Sequence, residues 1–315
     1  MSAAVEVGLA AVVVAVTAEQ PRVLTVGRPG GTSLPSGLLD SGRHRTLELA
    51  LRDTVLAQTG YDLGYVEQLY TFGNRYRDPR ERSGGPRAVS VAYLALAREV
   101  AAKETTAEWI GWYDGLPWED WRRGRPELLA RVIEPAIDRW IRAAGERSAV
   151  RARRERADLC FGLGGVPWNG ERVLDRFELL YEIGLVAESD RERRGRTAPD
   201  APRLGREMAL DHRRILASAL GRLRGKLRYR PVVFELLPQR FTLLRLQRTV
   251  EALAGLPLHK QNFRRLVEGA GLVEGTGRVD ARTGGRPAEL FRFRREVLRE
   301  RPAPGVGLPG LRTSG

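Results

Sequence analysis

Residues 241–297 constrain this 315-residue chain more tightly than any other stretch. "FTLLRLQRTVEALAG" carries apolar residues at helical spacing, with Thr242 placed as an N-cap and Gly255 as a stop. Only Leu256 and Pro257 separate it from "LHKQNFRRLVEGAGL", a shorter helical pattern dense in basic side chains. "VEGTGRVDARTGGRPAELFRFRREV" then alternates in strand fashion and turns at Gly275, Gly277, Gly284 and Gly285. Helix, tight turn, basic helix and glycine-rich hairpin, in that order, predict a winged helix-turn-helix.

A groove-reading helix needs hydrogen-bonding side chains on one face and an apolar face docked on its own domain. His259, Lys260, Gln261, Asn262, Arg264 and Arg265 meet the first condition, and Leu258, Phe263 and Leu266 the second. Arg and Lys pair with guanine edges, Asn and Gln with adenine, so these six polar residues and Thr242 form the candidate DNA-binding set. Arg278, Arg282, Arg286, Arg292 and Arg294 lie along the hairpin and its return strand, suited to phosphate or a minor groove. Charge distribution agrees. Residues 206–301 hold 22 basic and 10 acidic residues, against 12 and 10 in residues 1–103 and 18 and 19 in residues 104–205. The formal net charge of +14 therefore comes almost wholly from one block, as expected of a dedicated polyanion-binding module. A basic helix pair serving a protein interface is the alternative for the same pattern. DNA readers of this kind act as dimers on palindromic sites, so a homodimer on double-stranded DNA is the expected assembly.

Upstream, "LDHRRILASALGRLRGKL" reads as a helix with Ile215, Leu216, Leu220 and Leu223 on one side. Arg213, Arg214, Arg222, Arg224 and Lys226 fall on the other. "YRPVVFELL" reads as a short strand turning at Pro238. Before it, "RPELLARVIEPAIDRWIRAA" and "RVLDRFELLYEIGLVAE" are helical patterns, and all six tryptophans lie between Trp109 and Trp168, where core packing and domain docking are their expected roles. Residues 5–16, 21–26, 65–73 and 88–96 are β-rich runs, and residues 45–59 form one amphipathic helix ending at Gly60. The expected class is α+β, with a mixed-sheet domain over 1–117, a helical insertion and linker over 118–207, a linker helix and winged helix over 208–300, and a disordered Pro- and Gly-rich tail over 301–315.

Composition removes several function classes. A single cysteine, Cys160, excludes a disulfide framework, and the scattered His44, His212 and His259 give no zinc spacing. Val5–Val16 is apolar, but Glu6 interrupts it and no basic stretch leads it, so it reads as a buried strand rather than a targeting segment. No apolar run approaches the roughly 20 residues that span a bilayer, so no membrane partner is expected and the cytoplasm is the expected location.

The stretch "SGLLDSGRHRTLELALRDTVLAQTGYD", residues 36–62, poses a chemical question. A divalent metal on a pyrophosphate needs several carboxylate oxygens on one helical face, which glutamates at i, i+3 and i+4 supply. Between Arg45 and Gly60 the only acidic residues are Glu48 and Asp53. The loop and helix resemble the diphosphate-hydrolysing signature of Nudix proteins. Anchored on Gly60, that signature's Arg-Glu pair falls on Asp53 and Thr54, and its later glutamates on Ala57 and Gln58. No carboxylate stands at those three metal positions.

The chain as a whole resembles Nudix-related transcriptional regulators of NAD metabolism. At the front, "LPSGLLDSG", "LAQTGYDL", "YTFGNRYRDPR" and "VSVAYLAL" look like that family's Nudix half. At the back, "MALDHRRILASALGRLRGKLRYRPVVFELLPQRFTLLRLQ", "LHKQNFRRLVEGAGL" and "TGGRPAELFRF" resemble its linker helix and winged helix. Trp118–Glu207 intervenes, so the chain resembles a longer branch carrying a helical insertion. The resemblance implies a Nudix-like domain that binds ADP-ribose or a related nucleotide as effector, needs no cofactor, and alters DNA affinity when occupied. By residue type, Arg75, Arg77, Arg80 and Arg82 suit the diphosphate, and Tyr76 or Phe72 suits stacking on adenine.

Three function classes follow, the last an RNA-binding or scaffold protein using the basic block. The first is a nucleotide-sensing DNA-binding regulator. The second is a hydrolase of ADP-ribose or another nucleoside diphosphate derivative, which would need Glu48, Asp53 and Asp40 to hold its metal.

Overall fold

The computed structural model describes residues 5–28, 31–98, 107–193, 202–281, 287–301 and 304–306. The first layer is a sheet of seven strands: β1 (Val5–Thr17), β2 (Gln20–Arg28), β3 (Gly31–Ser33), β4 (Ser36–Leu38), β5 (Tyr65–Phe72), β6 (Arg87–Leu96) and β7 (Ala107–Gly111). β1 is central. It pairs in parallel with β6 from Val5↔Arg87 to Val14↔Leu96, and antiparallel with β2 and β4. The mixed sheet expected from the sequence is thus present, and β1 is apolar from Leu9 to Val16, with both faces covered over Leu9–Ala15. Leu9, Ala11 and Val13 point to helix α1 (Leu47–Thr59), meeting Leu51 and Val55. Ala10, Val12 and Val14 point the other way, into a core shared with the rest of the molecule.

Helix α1 starts two residues later than the apolar spacing indicates. Thr46 caps it, its Oγ1 accepting the Leu49 N–H at 3.2 Å, and Gly60 ends it in the left-handed conformation at φ 71°. Strand β7 lies beyond the four β-rich runs picked out in the sequence. Its alternating Trp109 and Ile110 edge pairs with β2, from Arg22↔Gly111 to Val26↔Ala107.

The insertion follows α2 (Trp112–Gly115) and a 3₁₀ turn at Pro117–Glu119. "RPELLARVIEPAIDRWIRAA" is not one regular helix. A wide π turn over Leu129–Ile133 runs directly into α3 (Glu134–Arg142), and Pro135, which has no N–H to give, stands just after that turn. α4 (Arg147–Phe161), α5 (Val173–Glu182) and α6 (Glu188–Arg193) complete it. Among the tryptophans, Trp112, Trp118, Trp121 and Trp168 are buried, while Trp109 and Trp140 are half-buried.

The long helix α7 (His212–Tyr229) corrects the sequence reading. Arg213, Arg214 and Arg224 do not form a solvated face; all three are buried. Arg213 pairs with Glu188, Arg214 Nε with Glu178 at 2.5 Å, and Arg224 Nη1 with Glu119 at 2.5 Å. Lys226 pairs with Glu67 of β5, and Arg228 with Glu171 at 3.0 Å. Much of the block's positive charge is therefore neutralised by carboxylates from the sheet and the insertion. "YRPVVFELL" is likewise not a strand. Pro231 lacks a ladder donor, and Val232–Leu236 form a 3₁₀ turn whose Val232, Val233, Phe234 and Leu236 are all buried. Phe234 stacks on Phe293 at 4.3 Å. In the tail, most of 301–315 lies outside the described residues, but Val306 is buried and its N–H donates to the Leu227 carbonyl at 2.8 Å, so that part is packed rather than disordered.

The winged domain comprises α8 (Leu243–Ala254), α9 (Lys260–Gly269), β8 (Val273–Asp280), β9 (Ala288–Phe293) and α10 (Val297–Glu300). Its helix α8 ends on a buried charge cluster. Glu119 receives Arg176 through Nε and Nη2 at 2.5 and 2.9 Å, and Arg224 through Nη1 at 2.5 Å. Arg224 Nη2 also donates to the Glu119 carbonyl at 2.9 Å, and Tyr113 Oη donates to the Ala252 carbonyl at 2.7 Å. Gly255 caps α8 at φ 71°, and a Cβ there would stand 2.5 Å from both Arg224 and the Glu119 carbonyl. Only glycine lets α8 approach so closely.

Burial would push the Glu119 carboxyl up, but Arg176 and Arg224 outweigh it and hold the group below the usual carboxylate range. Since the folded-state value is depressed, the unfolded chain binds more protons in acid. This stabilisation is complete above about pH 5 and is lost as pH falls through the folded-state value. Glu119→Gln leaves two buried arginines without a counter-charge and is expected to cost about 3–5 kcal/mol at neutral pH in urea unfolding. The variant's stability should also fall less steeply with acid than the wild type's; equal stability at pH 7 would contradict this account.

Candidate nucleic-acid interface

Helix α9 stands on α8 through a buried polar link that the apolar pattern did not reveal. Gln247 Nε2 donates to Glu251 Oε1 and to the Leu258 carbonyl, both at 2.9 Å. The Leu258 N–H returns a 2.9 Å bond to Glu251 Oε1. The turn between the helices is thus held by side chains four residues apart on α8. Two polar residues at i, i+4 among the buried positions of α8 are the sequence signal of it.

With that turn fixed, Phe263 and Val267 bury one face of α9, and Lys260, Gln261, Asn262, Arg264 and Arg265 are exposed on the others. His259 is exposed at the N-cap position, where its side chain makes no capping bond. Leu266, assigned to the docked face, is instead 37% exposed, and Val267 takes its place. Lys260, Arg264 and Arg265 have no carboxylate partner among the described residues. Thr242 serves as the cap of α8, its Oγ1 accepting the Arg245 N–H at 3.1 Å. In the hairpin, Arg278 is exposed beside a bulge between Gly275 and Arg278. Arg282 and Arg286 lie outside the described residues. Arg292 pairs with Glu274 at 2.7 Å, and Arg294 clamps Glu300 at 2.6 Å and the Gly271 carbonyl at 2.9 Å, so these two hold the hairpin itself. Phe241 bonds Phe291 in both directions, at 3.0 and 2.8 Å, tying the start of α8 to β9.

The proposed effector residues divide. Tyr76 is exposed, with Arg75 over its ring at 4.7 Å and Arg82 at 5.2 Å. Arg77 is buried and bidentate to Asp211 at 2.6 and 3.0 Å, immediately before α7. Arg80 is held by Asp78 at 2.7 Å and Glu6 at 2.8 Å, and its hydrogen bond keeps the Asp78 carboxyl below its ordinary value. Phe72 is buried, edge-on to Tyr70 at 5.4 Å. Asp211, which the sequence reading did not single out, joins this loop to α7. The neighbouring His212 accepts the Leu34 N–H through Nδ1 at 3.0 Å, which fixes that nitrogen as unprotonated.

The degenerate helix face is occupied by structure. Gln58 brackets Ser36, accepting its N–H at 3.1 Å and donating to its carbonyl at 2.8 Å. The acids that a hydrolase would need are engaged separately: Asp53 with His44 at 3.1 Å, Glu48 with Arg52 at 2.9 Å, and Asp40 Oδ1 with the Gly42 and Arg43 N–H groups. Among the described residues, no three His, Cys, Asp or Glu side chains are grouped to hold a metal. No helix among them is long and apolar enough to cross a membrane.

These features define a Nudix-type sheet domain joined to a winged helix-turn-helix. Residues 233–293 match the model of the NrtR DNA-binding winged helix domain, so the C-terminal part of this chain is similar to that winged helix. Over 87 residues the chain is 40% identical to the ADPR responsive transcriptional repressor NtrR of Acinetobacter baylyi. That match takes in 28% of this chain and 34% of the relative, about a third of its length. The fold as a whole is similar to that of Shewanella oneidensis NrtR crystallised with a 27mer DNA, at a TM-score of 0.54 and 23% identity over 93% of this chain and 95% of that one. A MutT/nudix family protein from Enterococcus faecalis is similar at a TM-score of 0.52 and 16% identity, over 92% and 86% of the two chains. The architecture is thus NrtR-like.

Gln247→Ala removes the donor that satisfies the Leu258 carbonyl and Glu251. It is expected to lower stability by about 1–3 kcal/mol in chemical denaturation. A variant as stable as the wild type would show that the helix-turn-helix angle is set elsewhere.

Proposed function

We propose that this protein is a DNA-binding transcriptional regulator whose Nudix-like half senses ADP-ribose or a related nucleotide. The observation that carries the reading is the exposed polar face of α9, on a segment matching the NrtR winged helix. Lys260, Gln261, Asn262, Arg264 and Arg265 supply guanine- and adenine-reading groups, and Arg278 a phosphate contact. The relative from Acinetobacter baylyi, described as ADPR responsive, supports the effector class. A pair of winged helices in a homodimer would read two half-sites, and the cytoplasm is where such a protein works.

Regulation would proceed by population shift. The effector loop is fastened to the first turn of α7 by Arg77–Asp211, and α7 is fastened near its other end to Glu119 and the end of α8. A ligand that favours one setting of that helix changes the placement of α9. The hydrolase reading is disfavoured by Thr54, Ala57 and Gln58 and by the separate engagement of Asp40, Glu48 and Asp53.

Replacing Arg264 and Arg265 together by Ala should abolish sequence-preferred binding to the protein's own upstream DNA in mobility-shift assays. Residual binding should show a salt slope shallower by about one to two. The thermal shift given by ADP-ribose should be unchanged. Full retention of DNA binding in the double variant would remove α9 as the reading helix, and loss of both responses would refute the separation of the two functions.

A further inference from the structure

The insertion has no role in the reading above, yet one of its helices faces the effector loop. Between them lies a cleft of about 110 Å³, lined by Tyr76 and Arg82 from the loop, Phe177 and Tyr181 from α5, and Leu210 and Arg214 at the start of α7, with Glu188, paired to Arg213, also in its wall. The Arg77–Asp211 pair also lines it. Each tyrosine carries a guanidinium on its ring: Arg75 and Arg82 on Tyr76 at 4.7 and 5.2 Å, and Arg214 on Tyr181 at 4.8 Å. Flat aromatic faces recognise a flat heterocycle by stacking, and the loop guanidinium of Arg82 suits an adjoining phosphate, while Arg214 is held by Glu178 and backs the Tyr181 ring.

Backbone strain gathers at the same place. Among the described residues, four non-glycine residues have positive φ. Ala18 and Glu19 make the turn between β1 and β2, and the other two are Tyr76 at 64° and Leu210 at 51°, both in the cleft wall. Left-handed backbone at a bulky side chain persists only where the surroundings impose it, and it concentrates at ligand clamps and switches.

We propose that this cleft binds the planar ring and adjoining phosphate of a nucleotide, with Tyr76 as one wall and Tyr181 of the insertion as the other. It rests on the effector reading above and deepens it: the insertion completes the pocket. The volume is well under the roughly 300–1,000 Å³ of whole-ligand pockets, so the cleft takes one end of a dinucleotide-sized effector and leaves the rest at its mouth. Its occupant lies beside Arg77 and Asp211, the contact that fixes the start of α7.

Isothermal titration calorimetry on the full chain tests this with AMP, ADP-ribose and ribose 5-phosphate. AMP and ADP-ribose should both bind, and ribose 5-phosphate should bind at least tenfold more weakly than AMP. Tyr181→Ala should weaken AMP and ADP-ribose about tenfold, the loss expected for one stacked base. Tyr181→Phe, which keeps the ring, should stay within about threefold of wild type, and a thermal melt confirms that both variants fold. Tyr181→Ala should also lose the ADP-ribose-dependent change in DNA affinity at sub-saturating ligand. Wild-type affinity for AMP in Tyr181→Ala overturns the proposal, as does a loss in Tyr181→Phe equal to that in Tyr181→Ala. Tyrosine-dependent capture of AMP without any response of DNA binding leaves the cleft standing and removes the regulator reading. Failure of wild type to bind either nucleotide removes the cleft, while mobility shift judges DNA binding independently.

Discussion

A single carboxylate, Glu119, decides how the parts of this molecule are set against one another. It is fully enclosed and meets two arginines, Arg176 from the insertion and Arg224 from the long helix. Desolvating three charges is costly, and attraction offsets that cost only when the leftover donors are also satisfied. Here they are. Arg176 gives its remaining bonds to the Cys160 and Asn169 carbonyls at 2.9 Å and lies over Trp168 at 3.9 Å; Arg224 reaches the carbonyls of Glu119, Gly170 and Leu253. Those acceptors come from α4, the loop before α5, the 3₁₀ turn at Pro117–Glu119 and α8. Apolar side chains of similar bulk would fill the space, but would accept many orientations; the fork of each guanidinium accepts one. The junction of sheet, insertion, long helix and winged domain is therefore specified rather than merely packed.

That specification explains which parts of the fold were legible in the sequence. The winged domain was readable because its signals are local: an N-cap at Thr242, a stop at Gly255, a two-residue turn and a hairpin rich in glycine. Strand β1 was readable because an apolar run of that length, broken by one acid near its start, suits a central strand. The arginines of α7 were misread because a helical projection shows only which residues share a face. It does not show Glu119, Glu178 and Glu188, which lie between 25 and 105 residues away and turn a cationic stripe into core. "YRPVVFELL" was misread for a related reason: burial on all sides removes the alternation that separates strand from turn.

The same pairing alters the meaning of the basic block. Seven of its cations, at Arg206, Arg213, Arg214, Arg224, Lys226, Arg228 and Arg248, answer to acids outside it. They are part of the scaffold, and the arithmetic excess overstates what a polyanion would meet. On the helix-turn-helix and its hairpin, the described residues offer Lys260, Arg264 and Arg265 on one short helix, with Arg278 on the strand beside it. A diffuse cationic surface attracts any nucleic acid, whereas side chains projecting from a rigid helix whose angle is fixed by Gln247 and Glu251 can be matched to base edges.

Helix α7 ties these two themes together. Its 18 residues span about 27 Å. Near its start, Asp211 and His212 hold the effector loop and the β3–β4 connection; towards its end, Arg224 holds the carbonyl of Leu253 and the cluster beneath Gly255. A rod pinned at both ends by buried, directional contacts cannot yield smoothly, because each contact is either made or broken. On the proposed reading, whatever disturbs Arg77–Asp211 would be felt as a choice between settings of the whole helix, and would reach α8 where Arg224 lies against Gly255.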